Sequence, residues 1–462
     1  MNRINDFVRL ASGQAGSLRQ ASLVDGQEMA RIFSIVALVV VSLFAATPSS
    51  AQQPDASKSG ETKPDLNQLP PGYTPPPERP AIMDLDLPIA DKDEMARLKK
   101  EFVNRFSIVR KDCDLTPNGK KVVEGSIRYK LAEMTLKEEQ SKLPQLHKRF
   151  VDEVGNVGDK SKSPQAIQDM SRFIGQETVK RMPELLKNNF YVRLHAVEIL
   201  GEMDFAPASE LLIKVMQTKD ISEDADDGQP EAIRIAAVNG LIRIVRFANA
   251  TAKERNTIAN AVVVELQNSN IFWWRQIRLI EVLRYCDVNG LDIGNNDKPF
   301  VVDSLLSVAR DNKRIWKVRT RACYALGRVP IPRTAKIDDI VTTVCECAFQ
   351  LSNDVAAKPK DPNWKRCFAN LYLTFQSSST SREKDLDTEK KQPGGLLGRH
   401  KTAAQPAYQV LVPIFNDVKV ISDDIYIAKP PTTENLKKLA DFIRSRGPNA
   451  QALQPNPQAS NR

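Results

Sequence analysis

Five short stretches of the chain share one pattern at nearly regular intervals, and that pattern sets what the chain can fold into. They are VRLHAVEILG from Val192, IRIAAVNGLI from Ile233, WRQIRLIEVL from Trp274, VRTRACYALG from Val318 and KRCFANLYLT from Lys365. Aligned on their second residue, they place Arg193, Arg234, Arg275, Arg319 and Arg366 at steps of 41, 41, 44 and 47 residues. Three residues after each Arg stand Ala196, Ala237, Arg278, Ala322 and Ala369. Seven after it stand Leu200, Leu241, Val282, Leu326 and Leu373, and one before it Val192, Ile233, Trp274, Val318 and Lys365. Positions four apart stack on one helical face. A small residue between two larger ones lets a neighbouring helix approach closely while the larger side chains fill the gap.

A second amphipathic run precedes most windows. Leu211, Leu212, Val215 and Met216 form one, Ile258, Val262, Val263 and Leu266 another, and Val302, Leu305, Leu306 and Ala309 a third. Thr251 and Glu254 make a capping box for the second of these. Each unit therefore reads as helix, turn, helix, and one such unit cannot bury its apolar face alone. Met182-Pro183-Glu184-Leu185-Leu186 followed by Val192-Arg193 and Leu200-Gly201, and again Val318-Arg319 with Leu326-Gly327, resemble the HEAT family of repeats. The third and fifth windows are degenerate. The resemblance covers roughly residues 164–375, and Leu411 to Ile414 with Thr433 to Ser445 read as a further pair. It implies an all-α fold, an α-solenoid of five to six helix pairs, in which the Arg column is structural. The family's Asp before the Arg is replaced here by Asn189 and Ser269, with Asp227 and Asp311 out of register, so no continuous Asp–Arg ladder is expected.

Outside the repeats the organisation follows from composition. Ile32 to Ala46 is an apolar run of 15 residues behind Arg31, short of the roughly 20 residues that span a bilayer. Pro48 and the small residues Ser49 and Ala51 follow it, so residues 1–51 read as a signal peptide cleaved between Ala51 and Gln52, with Met29 as a candidate true start. That assignment implies an exported, periplasmic or secreted protein. The competing assignments are an uncleaved membrane anchor, which would leave the chain membrane-tethered, and a buried helix. Residues 52–90 are a Pro-rich disordered linker, with nine Pro from Gln52 to Pro88. Residues 91–160 form an N-terminal helical segment, with Met95, Leu98, Phe102, Phe106 and Val109 on one face and further amphipathic stretches from Lys120 to Met134 and from Thr135 to Val154. Repeats occupy 161–376, a disordered insertion 377–406, a C-terminal helix pair 407–447 and a disordered tail 448–462.

The chain carries 66 Lys and Arg against 57 Asp and Glu, a net charge of +9. The excess is spread out, which is not by itself a nucleic-acid signature. The six Cys are few and irregularly spaced, and they read mainly as small core residues, with one disulfide left open for an exported chain. Cys345 and Cys347 point to different sides of a helix, so they share neither a metal nor a bond. Three His and the absence of zinc spacing, phosphate loops and nucleophile motifs lead to the expectation of no catalytic, metal-binding or cofactor-binding residue and no cofactor. The acidic stretch Asp220 to Glu231 fails the EF-hand spacing test.

The functional expectation is an exported, non-catalytic HEAT-repeat scaffold mediating protein–protein interaction. Trp273, Trp274, Arg278, Trp316 and Trp364 sit at or near the starts of second helices, and aromatics with Arg are what interface hot spots are built from. They also have a plain role as plugs of the inter-helix turns. Arg243, Arg246, Arg278, Arg284 and Arg328 read as surface charges, with a concave groove that recognises acidic groups as the alternative for some of them. The competing functions are a polyanion-binding or nucleic-acid-binding solenoid and a HEAT-like lyase-type enzyme or accessory subunit.

Overall fold

The computed structural model describes residues 85–159, 161–218, 229–288, 298–357, 363–376, 394–418 and 430–446. The signal-peptide region with Ala51 and Gln52, most of the Pro-rich linker, the tail after 448 and residues 377–393 of the expected insertion lie outside them. All but Leu85 belong to one unit defined by its internal contacts, Asp86–Arg462. The fold is all-α, and no strand occurs among the described residues. None of the described helices is long and apolar enough to cross a membrane.

The N-terminal helical segment begins with α1 (Lys92–Leu98), which runs through a π turn into α2 (Asn104–Asp112). Asp91 caps α1 by accepting from the Glu94 amide at 2.7 Å. Helices α3 (Pro117–Glu133) and α4 (Leu143–Gly155) follow. Helix α4 starts later than the amphipathic pattern predicts. Pro144 suits a first helical turn and not a helix interior, and residues 137–142 form a 3₁₀ turn instead. Of the predicted face, Met95, Leu98, Phe106 and Val109 are buried, while Phe102 is half-buried with its ring against Gly125 of α3. The end of the expected linker is not detached. Ala90 is buried, the Ile89 amide donates to Thr135 Oγ1 at 3.1 Å, and the Asn188 side-chain amide donates to the Leu87 carbonyl at 2.6 Å.

Paired helices follow: α5 (Pro164–Leu185) with α6 (Phe190–Glu202), α7 (Ala208–Gln217) with α8 (Glu231–Phe247), and α9 (Ala252–Leu266) with α10 (Trp273–Cys286). After them come α11 (Phe300–Arg310) with α12 (Trp316–Leu326), and α13 (Ile337–Ala357) with α14 (Asn363–Phe375). First helices touch first helices, α5 to α7, α7 to α9, α9 to α11 and α11 to α13. Second helices likewise touch in order from α6 through α8, α10 and α12 to α14. Ser163, Asn189 and Thr251 cap α5, α6 and α9, and at Thr251 both halves of the capping box form. One continuous apolar core runs from Phe106 to Ile443.

Beyond α14 the sequence reading needs revision. Residues 395–406 do not belong to a disordered insertion: they form α15 (Gly395–Arg399) and the start of α16 (Lys401–Asp417). Leu396, Ala404 and Ala407 are fully buried, so a short apolar face hides among Gly and polar residues there. Helix α17 (Thr433–Arg446) packs on α13 and α16.

Candidate functional site

Four of the five Arg of the column are consumed by the fold. A helix leaves its last four carbonyls without intrahelical partners, and a cation there also meets the negative end of the helix dipole. Arg193 of α6 donates to the Asn188 and Lys187 carbonyls just beyond the end of α5. Arg234 of α8 donates to the Thr218 carbonyl at 2.9 Å, just beyond α7. Arg319 of α12 donates to Ala309 in the last turn of α11 at 2.9 Å and to Gln350 of α13 at 2.7 Å. Arg275, 1% exposed, bridges Glu265 in the last turn of α9 at 3.0 Å and Glu231 of α8 at 3.2 Å. The Leu266 carbonyl at the end of α9 is taken by Arg314, at 2.6 Å. Asp311 pairs with Arg314 and not with Arg319.

The apolar signature positions Ala196, Ala237, Ala322, Leu200, Leu241, Val282 and Leu326 are all fully buried. The fifth window breaks the register. Arg366 is exposed, and Ala369 and Leu373 are only half-buried. The buried face of α14 is instead Trp364, Cys367, Phe368, Leu371 and Phe375. Trp364 therefore belongs to the core and is not available to a partner.

Arg278 is half-buried and donates to Asn239 of α8 at 2.6 Å, and burial lowers its guanidinium to about 10. Arg284 and Arg328 are buried rather than surface charges. Arg246 stacks on Phe247 and Tyr285, Arg284 on Tyr285 and Tyr324, and Arg328 on Tyr324, so a cation–π ladder crosses α8, α10 and α12. Glu281 sits inside the ladder and pairs with Arg284 and Arg321.

The starts of α10 and α12 form an aromatic corner. Phe272 occupies the N-cap position of α10 and Ile315 that of α12, and neither makes a capping hydrogen bond. They are 49% and 46% exposed. Trp273 and Trp274, half-buried, continue the strip at ring separations of 5.7 and 5.6 Å. Lys317, two residues after Ile315, lies 4.9 Å from the Trp273 ring and so joins the two corners. Trp316 is half-buried. Its ring lies against Arg319, and its Nε1–H donates to Asp354 at 2.6 Å.

A second cluster escaped the sequence reading. His147 of α4 and His195 of α6, 48 residues apart, bring their Nδ1 atoms to 3.1 Å. Glu198 and Glu202 lie on the same stripe of α6 as His195. Glu198 Oε2 is 3.1 Å from His195 Nδ1 and 3.6 Å from His147 Nδ1. Glu202 Oε2 is 3.5 Å from His147 Nε2. Burial pushes the Glu202 carboxyl up, but the His147 contact, with Arg243 and His195 nearby, more than offsets this and leaves it below its ordinary value. The visible signal was the His-x-x-Glu spacing at 195 and 198. The partner His147 is placed only by the packing of α4 on α6.

The Cys set matches its core reading: Cys286, Cys323, Cys345, Cys347 and Cys367 are buried and Cys113 is half-buried. Burial pushes the Cys345 thiol far above its ordinary value. An open depression between α11 and α13, lined by Asp303, Leu306, Ser307, Arg310, Asp311 and Asp339, holds no nucleophile paired with a base. The chain matches no family model, no curated protein and no solved structure.

Proposed function

We propose that this chain is an exported, non-catalytic HEAT-type α-solenoid that binds a protein partner at the corner made by Phe272, Trp273, Ile315 and Trp316. The solenoid reading is supported by the two ordered rows of helix contacts and by Arg193, Arg234 and Arg319 closing the ends of first helices. Export rests on the leader sequence, and amino-terminal sequencing of protein from the extracytoplasmic fraction tests it: Gln52 at the terminus agrees, an intact Met29 or Met1 does not.

One observation carries the partner site. Ser, Thr, Asn or Asp at an N-cap stabilises a helix by about 1 kcal/mol over an apolar residue. Asn189 and Thr251 use that device. Phe272 and Ile315 forgo it at two neighbouring helix starts and expose apolar surface instead. Pro207, Pro230 and Pro299 also start helices without a side-chain cap, so what sets Phe272 and Ile315 apart is large apolar surface exposed at adjacent corners beside two half-buried Trp, which fits a hot spot.

The test is a comparison of proteins captured from the extracytoplasmic fraction by the native chain and by the Phe272→Ser/Ile315→Ser chain. Ser restores both caps, so the variant keeps its fold. A stoichiometric polypeptide lost with the variant supports the site, and an identical set from both chains removes it. A polyanion-binding groove is the competing reading, and it would show binding that falls steeply with salt. The guanidinium groups it needs are committed: Arg284 and Arg321 to Glu281, and Arg328 to the Gln376 carbonyl.

A further inference from the structure

The geometry points to a binding site for one divalent transition-metal ion of the zinc class, held by His147 Nδ1, His195 Nδ1 and a Glu198 carboxylate oxygen, with Glu202 orienting His147. The three donor atoms form a triangle with edges of 3.1, 3.1 and 3.6 Å. A tetrahedral zinc ion with ligands at roughly 2.0–2.1 Å separates its donors by about 3.3 Å. The triangle therefore already has the size of one face of such a coordination sphere.

The surroundings match a metal site in two further respects. A metal-bound imidazole ordinarily donates its other ring N–H to a carboxylate, which fixes the tautomer. Glu202 Oε2 faces His147 Nε2 at 3.5 Å. That nitrogen is buried and has no closer hydrogen-bond acceptor, so a proton on it leaves the Nδ1 lone pair for the ion. The side chains of His147 and His195 are 11% and 15% exposed, whereas that of Glu198 is 39% exposed. The ion can enter from the Glu198 side, where water completes a fourth position.

The ligand types narrow the choice of ion. Two imidazoles and one carboxylate favour zinc and its neighbours over calcium or magnesium, which prefer all-oxygen shells. Binding would join α4 of the N-terminal segment to α6 of the first helix pair. This inference is independent of the partner site, which lies on α10 and α12.

Metal-stripped full-length chain titrated with Co²⁺ tests it. One equivalent should bind with the visible absorption of four-coordinate cobalt and no thiolate charge-transfer band, and Zn²⁺ should displace it. Zn²⁺ should also raise the melting temperature. His195→Asn and Glu198→Gln should each weaken cobalt binding by more than about tenfold. Glu198→Gln removes a partly exposed ligand without changing shape, so it decides the matter if the His variant fails to fold. No saturable binding, a thiolate band, or unchanged affinity in Glu198→Gln would overturn the site.

Discussion

Gly201 of α6 and Gly240 of α8 cross with no side chain between them: a Cβ placed on Gly201 would stand 2.6 Å from the Gly240 Cα. This contact explains why the second window and the first both carry Gly where their helices meet. Gly327 plays the same part between α12 and α14, where an added Cβ would lie 2.3 Å from the Thr374 carbonyl oxygen.

Gly201→Ala should therefore destabilise the chain, although Ala is the better helix former by about 1 kcal/mol. The obstructing atom is backbone, so the helices must separate, at a net cost of about 1–3 kcal/mol. Gly155→Ala is the control. Nothing lies within 4 Å of a Cβ there, and a gain of about 0.5 kcal/mol is expected. Denaturant midpoints of the two variants measure the contrast, and equal shifts would contradict the close crossing.

Arg275 ties α10 to both α8 and α9 through Glu231 and Glu265. Arg275→Met should cost about 3 kcal/mol, because both carboxylates keep their partial burial and lose this cation. Arg275→Lys should recover little, since one ammonium cannot span two carboxylates as the guanidinium fork does. Equilibrium unfolding of both variants checks this, and full rescue by Lys would show that charge alone matters.

Glu346 on α13 gives a pH signature. Burial pushes its carboxyl above the ordinary value, Asp339 adds to this and Arg310 opposes it. The folded chain then holds the proton more tightly than the unfolded chain. The stabilising contribution is fully present below the unfolded carboxyl value and is lost as pH rises through the folded one. Glu346→Gln should be more stable than the native chain at neutral pH, with the difference closing in acid. Stability curves from acid to neutral pH read this out, and a gain that did not depend on pH would remove the titration account.

The helical fold was legible because period and residue size act together. Val192, Ala196 and Leu200 can only share a buried face if the stretch is helical, and the same holds at Ile233, Ala237 and Leu241. The fifth window misled because α14 offers two overlapping patterns. Arg366, Ala369 and Leu373 match by residue type, while Trp364, Phe368, Leu371 and Phe375 carry the bulk that the core takes. The His147–His195 contact was not legible at all. It depends on how α4 crosses α6, and no local spacing encodes a crossing. Arg284 and Arg328 carry no local sign of burial, because it depends on Tyr285 and Tyr324 in stacked positions.

The partner site is the central claim, and site-specific photo-crosslinking tests it most directly. A photoreactive side chain replaces Ile315 in one chain and Val264 in another. Val264 is also an exposed apolar residue, 58% exposed on α9, so it controls for general stickiness. Irradiation in the extracytoplasmic compartment should give one discrete higher-mass adduct from position 315 and none of that mass from position 264. No adduct at 315, or the same adducts from both positions, would contradict the claim that the α10–α12 corner is where a partner docks.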